Sequence, residues 1–372
     1  MIRIEHPIDF CDTYGLEQIG ALEKLLFFDI ETTGFSGNTS QLYLIGCVFF
    51  RDGSWHMIQY FADSPQSERE ILCEFFEFLE QFEILVHFNG ETFDMPYLLK
   101  RCARHRLPYN FDRVTSFDIY KKIRPLKDFL GLTSLKQKAI EAFLGISRTD
   151  VFSGGELIYV YQDYLHSKDE RLFHALILHN EDDLKGMPAI LPILRYPDLL
   201  RAPLHLVDQR CIFGEMHRSL TLDFALPFSL PTPFRAENDW VSLHAEGQNL
   251  CFSIALFCGE LKFFYPNYKD YYYLPLEDTA IHKSVGEFVD KSARRKATAK
   301  TCYTKKEGLF LPQFEPLWEP ALRREVKDPL SFVEYQETLF SDSERAASYA
   351  RQLLMQLTSR KGTSSLRSRS AQ

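Results

Sequence analysis

The chain has 372 residues, of which 45% are hydrophobic and 14% aromatic, and its formal net charge is −8. That length suits two domains rather than one, and that apolar share excludes global disorder. No run of about 18 uncharged apolar residues occurs, so no membrane span is expected, and neither is a secretory signal at the N-terminus.

Eight scattered cysteines without a CxxC pair read as reduced thiols of a cytoplasmic protein. Residues 1–100 carry 17 acidic and 5 basic side chains, whereas residues 101–150 carry 5 acidic and 11 basic. An acidic block beside a basic one can serve a site that binds divalent cations and a polyanion together, and uneven surface decoration gives the same counts.

After a leader over 1–21, LLFFDIE predicts a strand and TTGFSGN a loop. QLYLIGCVFF and SWHMIQYFA predict two more strands, joined as a hairpin through Asp52-Gly53. Ile71, Leu72, Phe75, Phe76 and Leu79 in SEREILCEFFEFLEQF have the spacing of an amphipathic helix. EILVHFNG reads as a buried strand, FDMPYLLKRCARH as a helix and RVTSFDIY as a short strand. Helical segments then run from SLKQKAIEAFLG to DERLFHALILHNEDDLKGM.

This order predicts an α/β domain over 22–204, with a mixed sheet flanked by helices, antiparallel at one edge and parallel through the centre. Beyond Pro203, the proline-rich PFSLPTPFRAEND and short alternating stretches such as LCFSIALFCG predict a second, smaller α+β domain over 205–340. A helix over 341–356 and a disordered basic tail over 357–372 complete the chain.

Three places carry carboxylates in patterns that point to chemistry. Asp29 and Glu31 are two apart on a strand, so they project to one face with roughly 7 Å between their Cα atoms. Gly34 ends that strand soon after, which puts both acids at its C-terminal end, the edge where α/β sheets bind ligands. Asp94 follows a strand and turn in VHFNGETFD and opens a helix, where an aspartate serves equally well as an N-cap. On the helix over 171–186, Leu172, Leu176, His179 and Asp183 recur at spacings of 4, 3 and 4 along one stripe. An acid and an imidazole on an inward stripe need partners. Four converging carboxylates would repel one another unless cations sat among them, and hard oxygen donors of this kind suit Mg²⁺ or Mn²⁺.

Asp-x-Glu in DIETTG, Asn-x-x-x-Phe-Asp in NGETFD and His-x-x-x-Asp in HNEDD, in that order, resemble the DEDD superfamily of 3′–5′ exonucleases, which have an RNase H-like fold. SFDIYKKIRP, LTSLKQKAIEAFLGISR and HNEDDL are similar to its YprB-like bacterial branch. The resemblance covers roughly 22–195 and implies phosphodiester hydrolysis at nucleic-acid ends with two Mg²⁺ or Mn²⁺ ions. It makes Asp29, Glu31, Asp94 and Asp183 the metal ligands and His179 the general base. Members with a histidine usually place it five residues before the last aspartate, and His179 stands four before, the spacing of the members that carry tyrosine. The resemblance also brings Thr32, Thr33 and Gly34 to the terminal nucleotide, with Asn89 either touching it or shaping the turn.

DNA is expected as substrate before RNA. The alternatives are the same chemistry on RNA, or a nucleic-acid-binding adaptor that has lost turnover. The basic run from Arg101 to Lys138 is a candidate for holding the phosphate backbone. A second basic run, KSARRKATAKTCYTKK over 291–306, follows a dense aromatic stretch that includes Tyr271, Tyr272 and Tyr273. It reads as a single-strand-binding surface or as a solvated face.

Overall fold

The computed structural model describes residues 1–10, 12–146, 154–213 and 218–359. The chain divides into two compact units, one of 1–128 with 132–197 and one of 129–131 with 198–372.

Unit 1 is built on a six-stranded sheet in the order β1-β4-β3-β2-β5-β6. Its strands are β1 (Ile2–Ile8), β2 (Leu25–Thr32), β3 (Leu42–Arg51), β4 (Ser54–Phe61), β5 (Ile84–His87) and β6 (Thr115–Asp118). β1 to β4 pair antiparallel, while β2, β5 and β6 run parallel. The parallel half thus occupies one side of the sheet rather than its centre, and β2 is the strand where the two halves meet. Its helices are α1 (Glu68–Leu79), α2 (Asp94–His105), α3 (Ile119–Ile123), α4 (Gln137–Phe143), α5 (Gly154–Ser167) and α6 (Glu170–Ile190). The division between units falls within α7 (Arg195–Leu199).

The first residues of the expected leader are instead strand β1, paired with β4 from Ile2↔Phe61 to Ile8↔Trp55. As an edge strand β1 tolerates Pro7, which has no N–H to donate to a second neighbour.

The opening aromatic run of β2 is buried because both faces of the strand are covered. Leu26, Phe28 and Ile30 join Ile71, Leu72 and Phe75 of α1 in one cluster. The alternate positions Phe27, Asp29 and Glu31 turn to the other face, where α6 packs on β2 and β3. Burial on both faces explains why the strand reads as a nearly unbroken apolar run.

Among the described residues unit 2 contains three small sheets, with strand orders β7-β8-β11-β10-β9, β12-β16-β17 and β14-β13-β15. The first comprises β7 (His205–Phe213), β8 (Arg218–Ala225), β9 (Phe234–Glu237), β10 (Val241–Glu246) and β11 (Asn249–Ala255). The others are formed by β12 (Phe257–Phe264), β13 (Tyr271–Leu274), β14 (Thr279–His282), β15 (Arg295–Lys296), β16 (Tyr303–Gln313) and β17 (Ser331–Glu334). A four-residue helix, α8 (Lys283–Gly286), follows β14, and α9 (Ser343–Thr358) is capped by Asp342, which accepts from the N–H groups of Glu344 and Arg345. The expected tail lies outside the described residues from 360 onward. Among the described residues no helix is long and apolar enough to cross a membrane.

Candidate metal centre

Asp29 stands directly opposite Gly46 on β3. Gly46 lets α6 approach, because a Cβ there would fall 2.0 Å from Asn180 Oδ1 and 2.5 Å from Leu184 Cδ1. In the space so opened, Asn180 donates its Nδ2 to Asp29 Oδ2 at 3.0 Å. Asn180 is fully buried, and its Oδ1 accepts from Gln59 Nε2 at 3.0 Å. Gln59 in turn donates to the Ile177 carbonyl. This relay fixes the Asp29 carboxylate from behind.

One turn of α6 carries the next two groups. His179 Nε2 lies 3.6 Å from Glu31 Oε1 and 3.5 Å from Asp183 Oδ2. Potential ligand atoms of Glu31, His179 and Asp183 all fall within 4.8 Å of one another. Tyr43 donates its hydroxyl toward Glu31 Oε2 at 3.5 Å.

Asp94 comes from the neighbouring parallel strand, through the turn that follows β5. It is the first residue of α2, and Phe93 in the cap position makes no side-chain cap bond. The turn is held by Asp118, which accepts from the N–H of Asn89 at 2.9 Å and of Glu91 at 3.4 Å. Asp118 also caps α3 through Lys121 N–H. Asn89 itself adopts a left-handed φ of 64°, and its Oδ1 accepts from Thr92 Oγ1.

A pocket of about 610 Å³ gathers Asp29, Glu31, Asn89, Asp94, His179 and Asp183, within the size range of small-ligand sites. Phe35, Phe88, Phe93, Lys136 and Lys138 also line it. Phe35 is 93% exposed and meets Phe93 edge-on at 6.3 Å between ring centres.

Thr32, Thr33 and Gly34 are not among the lining residues. Their hydroxyls close the loop instead, Thr32 Oγ1 donating to Gly34 O and Thr33 Oγ1 accepting from Gln41 N–H. The basic run divides as well. Lys136 and Lys138 reach the pocket, whereas Arg101 is buried in a two-point pair with Glu68, its Nε 2.6 Å from Oε1. Arg101 also donates to Gly37 O, and Glu68 accepts from Leu42 N–H, so this pair ties the middle of the loop between β2 and β3 to the start of β3.

Burial, with the charges of Glu31, Asp183 and Asp94 added, pushes the Asp29 carboxyl well above the aspartate range, against the hydrogen bond from Asn180. Burial likewise pushes Asp94 up to about 7; its own backbone N–H opposes the rise and the charge of Asp118 adds to it. Acids this strained electrostatically fit a hard divalent cation, whose charge would reverse the repulsion. The four acids offer carboxylate oxygen, the donor chemistry that Mg²⁺ and Mn²⁺ accept, with the His179 imidazole beside them.

Sequence reasoning overlooked Asn180, Gln59 and the three phenylalanines. Asn180 had a signal, since it adjoins His179 and a polar residue beside an inward stripe needs a partner. The phenylalanines had none, because an aromatic beside a strand end reads as core.

Residues 26–194 match the RNase_H_2 family, described as the RNase_H superfamily. No curated protein matches the chain. Among solved structures, the chain is similar to the family B DNA polymerase from the hyperthermophilic archaeon Pyrobaculum calidifontis, at 13% identity and a TM-score of 0.37. The match covers 66% of this chain and 35% of the polymerase, so the chain spans about a third of that protein's length. A likeness at that level carries no argument about activity. The family match and the mixed sheet flanked by helices assign an RNase H-like fold to residues 26–194.

Proposed function

We infer that this RNase H-like domain is a divalent-cation-dependent 3′–5′ exonuclease of the DEDD type, acting on DNA ends within the cell. The observation that carries this reading is the gathering of Asp29, Glu31, Asp94, His179 and Asp183 from one strand and two helices into one pocket. Placement in the YprB-like branch rests on the sequence motifs alone.

Asp29, Glu31, Asp94 and Asp183 would hold two Mg²⁺ or Mn²⁺ ions. When bound, such ions polarise a phosphodiester and acidify water. His179 Nε2, facing the carboxylates, takes the proton of the attacking water as general base. Asn180 holds Asp29 in register, and a shift of even 1 Å there would cost rate steeply. Lys136 and Lys138 offset phosphate charge at the pocket wall, and Phe35, Phe88 and Phe93 offer ring faces to an unpaired terminal base. With all five positions filled, a silent adaptor is the weaker reading.

The test uses 3′- and 5′-labelled single- and double-stranded DNA and RNA with Mn²⁺, with and without EDTA. Stepwise loss from the 3′ end of DNA, abolished by EDTA and by Asp29→Asn, is the expected result. Absence of cleavage of any substrate by folded, Mn²⁺-loaded protein overturns the assignment, and faster loss from RNA overturns the substrate.

A further inference from the structure

Unit 2 displays a cationic surface organised on a tyrosine, separate from every residue of the metal centre. Residues 291–306 hold seven basic side chains and no acidic one. The fold uses some of these internally: Lys305 pairs with Asp278 and Glu260, and Lys306 with Glu334. Lys291, Arg295, Lys296 and Lys300 are exposed, and among the described residues they form no ion pair.

Tyr272 on β13 stands opposite Lys296 on β15 and Ile281 on β14. Directly paired residues leave a sheet on the same face, so Lys296 emerges beside the tyrosine ring. The Arg294 guanidinium lies 4.5 Å from the centre of that ring and Lys283 Nζ lies 5.9 Å from it. Arg294 is steadied by donating to the Gly286 carbonyl. At Gly286, α8 passes so close that a Cβ would come within 2.8 Å of Tyr272 Cδ2. Two cations thus stand over one ring, and Lys296 leaves the sheet beside it.

The acids nearby do not balance them. Asp290, within electrostatic reach of Arg294, and Glu287 are two acids against the five cations Lys283, Lys291, Arg294, Arg295 and Lys296. Glu287 is exposed and, among the described residues, forms no ion pair. Next to this surplus of positive charge, Phe288 is 90% and Val285 56% exposed.

Clustered cations call for a polyanion, and a large ring left in water calls for a flat apolar partner. A single-stranded nucleic acid supplies both, phosphates for the cations and an unpaired base for the ring. Duplex DNA offers the phosphates but keeps its base faces stacked. An anionic lipid surface is the less fitting partner, because the surface is a three-stranded sheet with a four-residue helix rather than a long amphipathic helix. We propose that Lys283, Phe288, Arg294 and Lys296 form a binding surface for single-stranded nucleic acid, without sequence preference, on unit 2.

The test measures fluorescence anisotropy of labelled oligo(dT) and oligo(U) with the full chain in EDTA, so that binding is read whether or not the metal centre cleaves. The double substitution Lys283→Glu with Lys296→Glu is expected to weaken Kd about tenfold or more at 50 mM salt. It should also flatten the dependence of log Kd on log salt by about 1.4, since each phosphate contact on a single strand contributes about 0.7. Phe288→Ala is expected to weaken Kd about fivefold with the salt slope unchanged. The melting temperatures of both variants, and their hydrolysis of a thymidine monophosphate p-nitrophenyl ester with Mn²⁺, should equal those of the wild type. Unchanged Kd and slope in both variants overturn the proposal, as does equal affinity for duplex. Loss of binding to phosphatidylserine vesicles with oligonucleotide binding intact assigns the surface to membranes and also overturns it.

Discussion

Replacing Asp94 by asparagine removes a buried charge at nearly constant size, and in metal-free buffer it is expected to stabilise the protein at alkaline pH. Asp94 is 7% exposed, and burial pushes its carboxyl from 3.8 up to about 7. Between those values the folded chain keeps a proton that the unfolded chain has released. The stability contributed by this group is therefore full below about pH 4 and lost as pH rises through about 7. At about 1.4 kcal/mol per pH unit, the wild type forfeits at most about 4 kcal/mol at pH 8 through this one carboxylate.

Asparagine does not titrate, so the variant should keep what the wild type loses. In a domain of this size about 1 kcal/mol moves Tm by roughly 2–4 °C, which gives a rise of about 8–16 °C as the upper limit. At pH 4.5 the rise should shrink to about a quarter of that or less. Thermal melts followed by circular dichroism in EDTA from pH 4.5 to 8.5 read the difference directly. Mn²⁺ at about 1,000 times Kd should then close the gap, because it adds about 4.1 kcal/mol to the protein that binds it. A lower Tm for the variant at pH 8 in EDTA, or a difference from wild type that does not change with pH, refutes the reasoning.

Asn180→Leu removes the donor to Asp29 and is expected to lower kcat about 10–100-fold and to raise the Mn²⁺ requirement, with KM little changed; an unaltered kcat in a metal titration contradicts the role. Gly46→Ala puts a methyl 2.0 Å from Asn180 Oδ1 and should cost about 1–3 kcal/mol together with activity, so an unchanged Tm would count against the close approach. Burial would raise the Glu68 carboxyl, but hydrogen bonds from Arg101, His105 and Leu42 N–H hold it below the usual range. Its contribution is thus present above the ordinary glutamate range and lost as pH falls through the folded value. Glu68→Gln should therefore destabilise by about 3–5 kcal/mol at pH 7 and by less at pH 4, and melts that differ equally at both values would exclude the charge as the cause.

What the sequence disclosed of the site was the part written in local periodicity. Asp29 and Glu31 share a face because strands repeat every two residues, and His179 and Asp183 share one because helices return every three to four. What it hid depends on partners far along the chain. Arg101 looked like a phosphate ligand by charge, and only Glu68, 33 residues away, turns it inward as a clamp on the loop between β2 and β3. Gly46 carries no local signal within β3, and its purpose emerges only with Asn180, whose bond to Asp29 spans 151 residues of sequence. The first strand was lost for a different reason. Ile2, Ile4 and Ile8 alternate as a strand should, but the stretch is short, half polar and broken by Pro7, so nothing local separates an edge strand from a leader.

The supports of the site have a feature in common that bears on how it keeps its shape. Asp29 is held by the Asn180–Gln59 relay, the turn before Asp94 by Asp118, and the loop after Glu31 by Arg101 and Glu68. Each support is buried, and each ends on backbone atoms that lie beyond the acids themselves, at Ile177, Asn89, Leu42 or Gly37. Repulsion among the carboxylates acts along their side chains, whereas these bonds fix the main chain that carries them. The acids can therefore protonate or lose a cation without the scaffold following, since breaking any one support would strand a buried polar group at about 1–3 kcal/mol or more. On this arrangement a bound cation supplies charge balance to a geometry that already exists, which is the condition under which binding energy is available for the transition state rather than consumed in ordering the pocket.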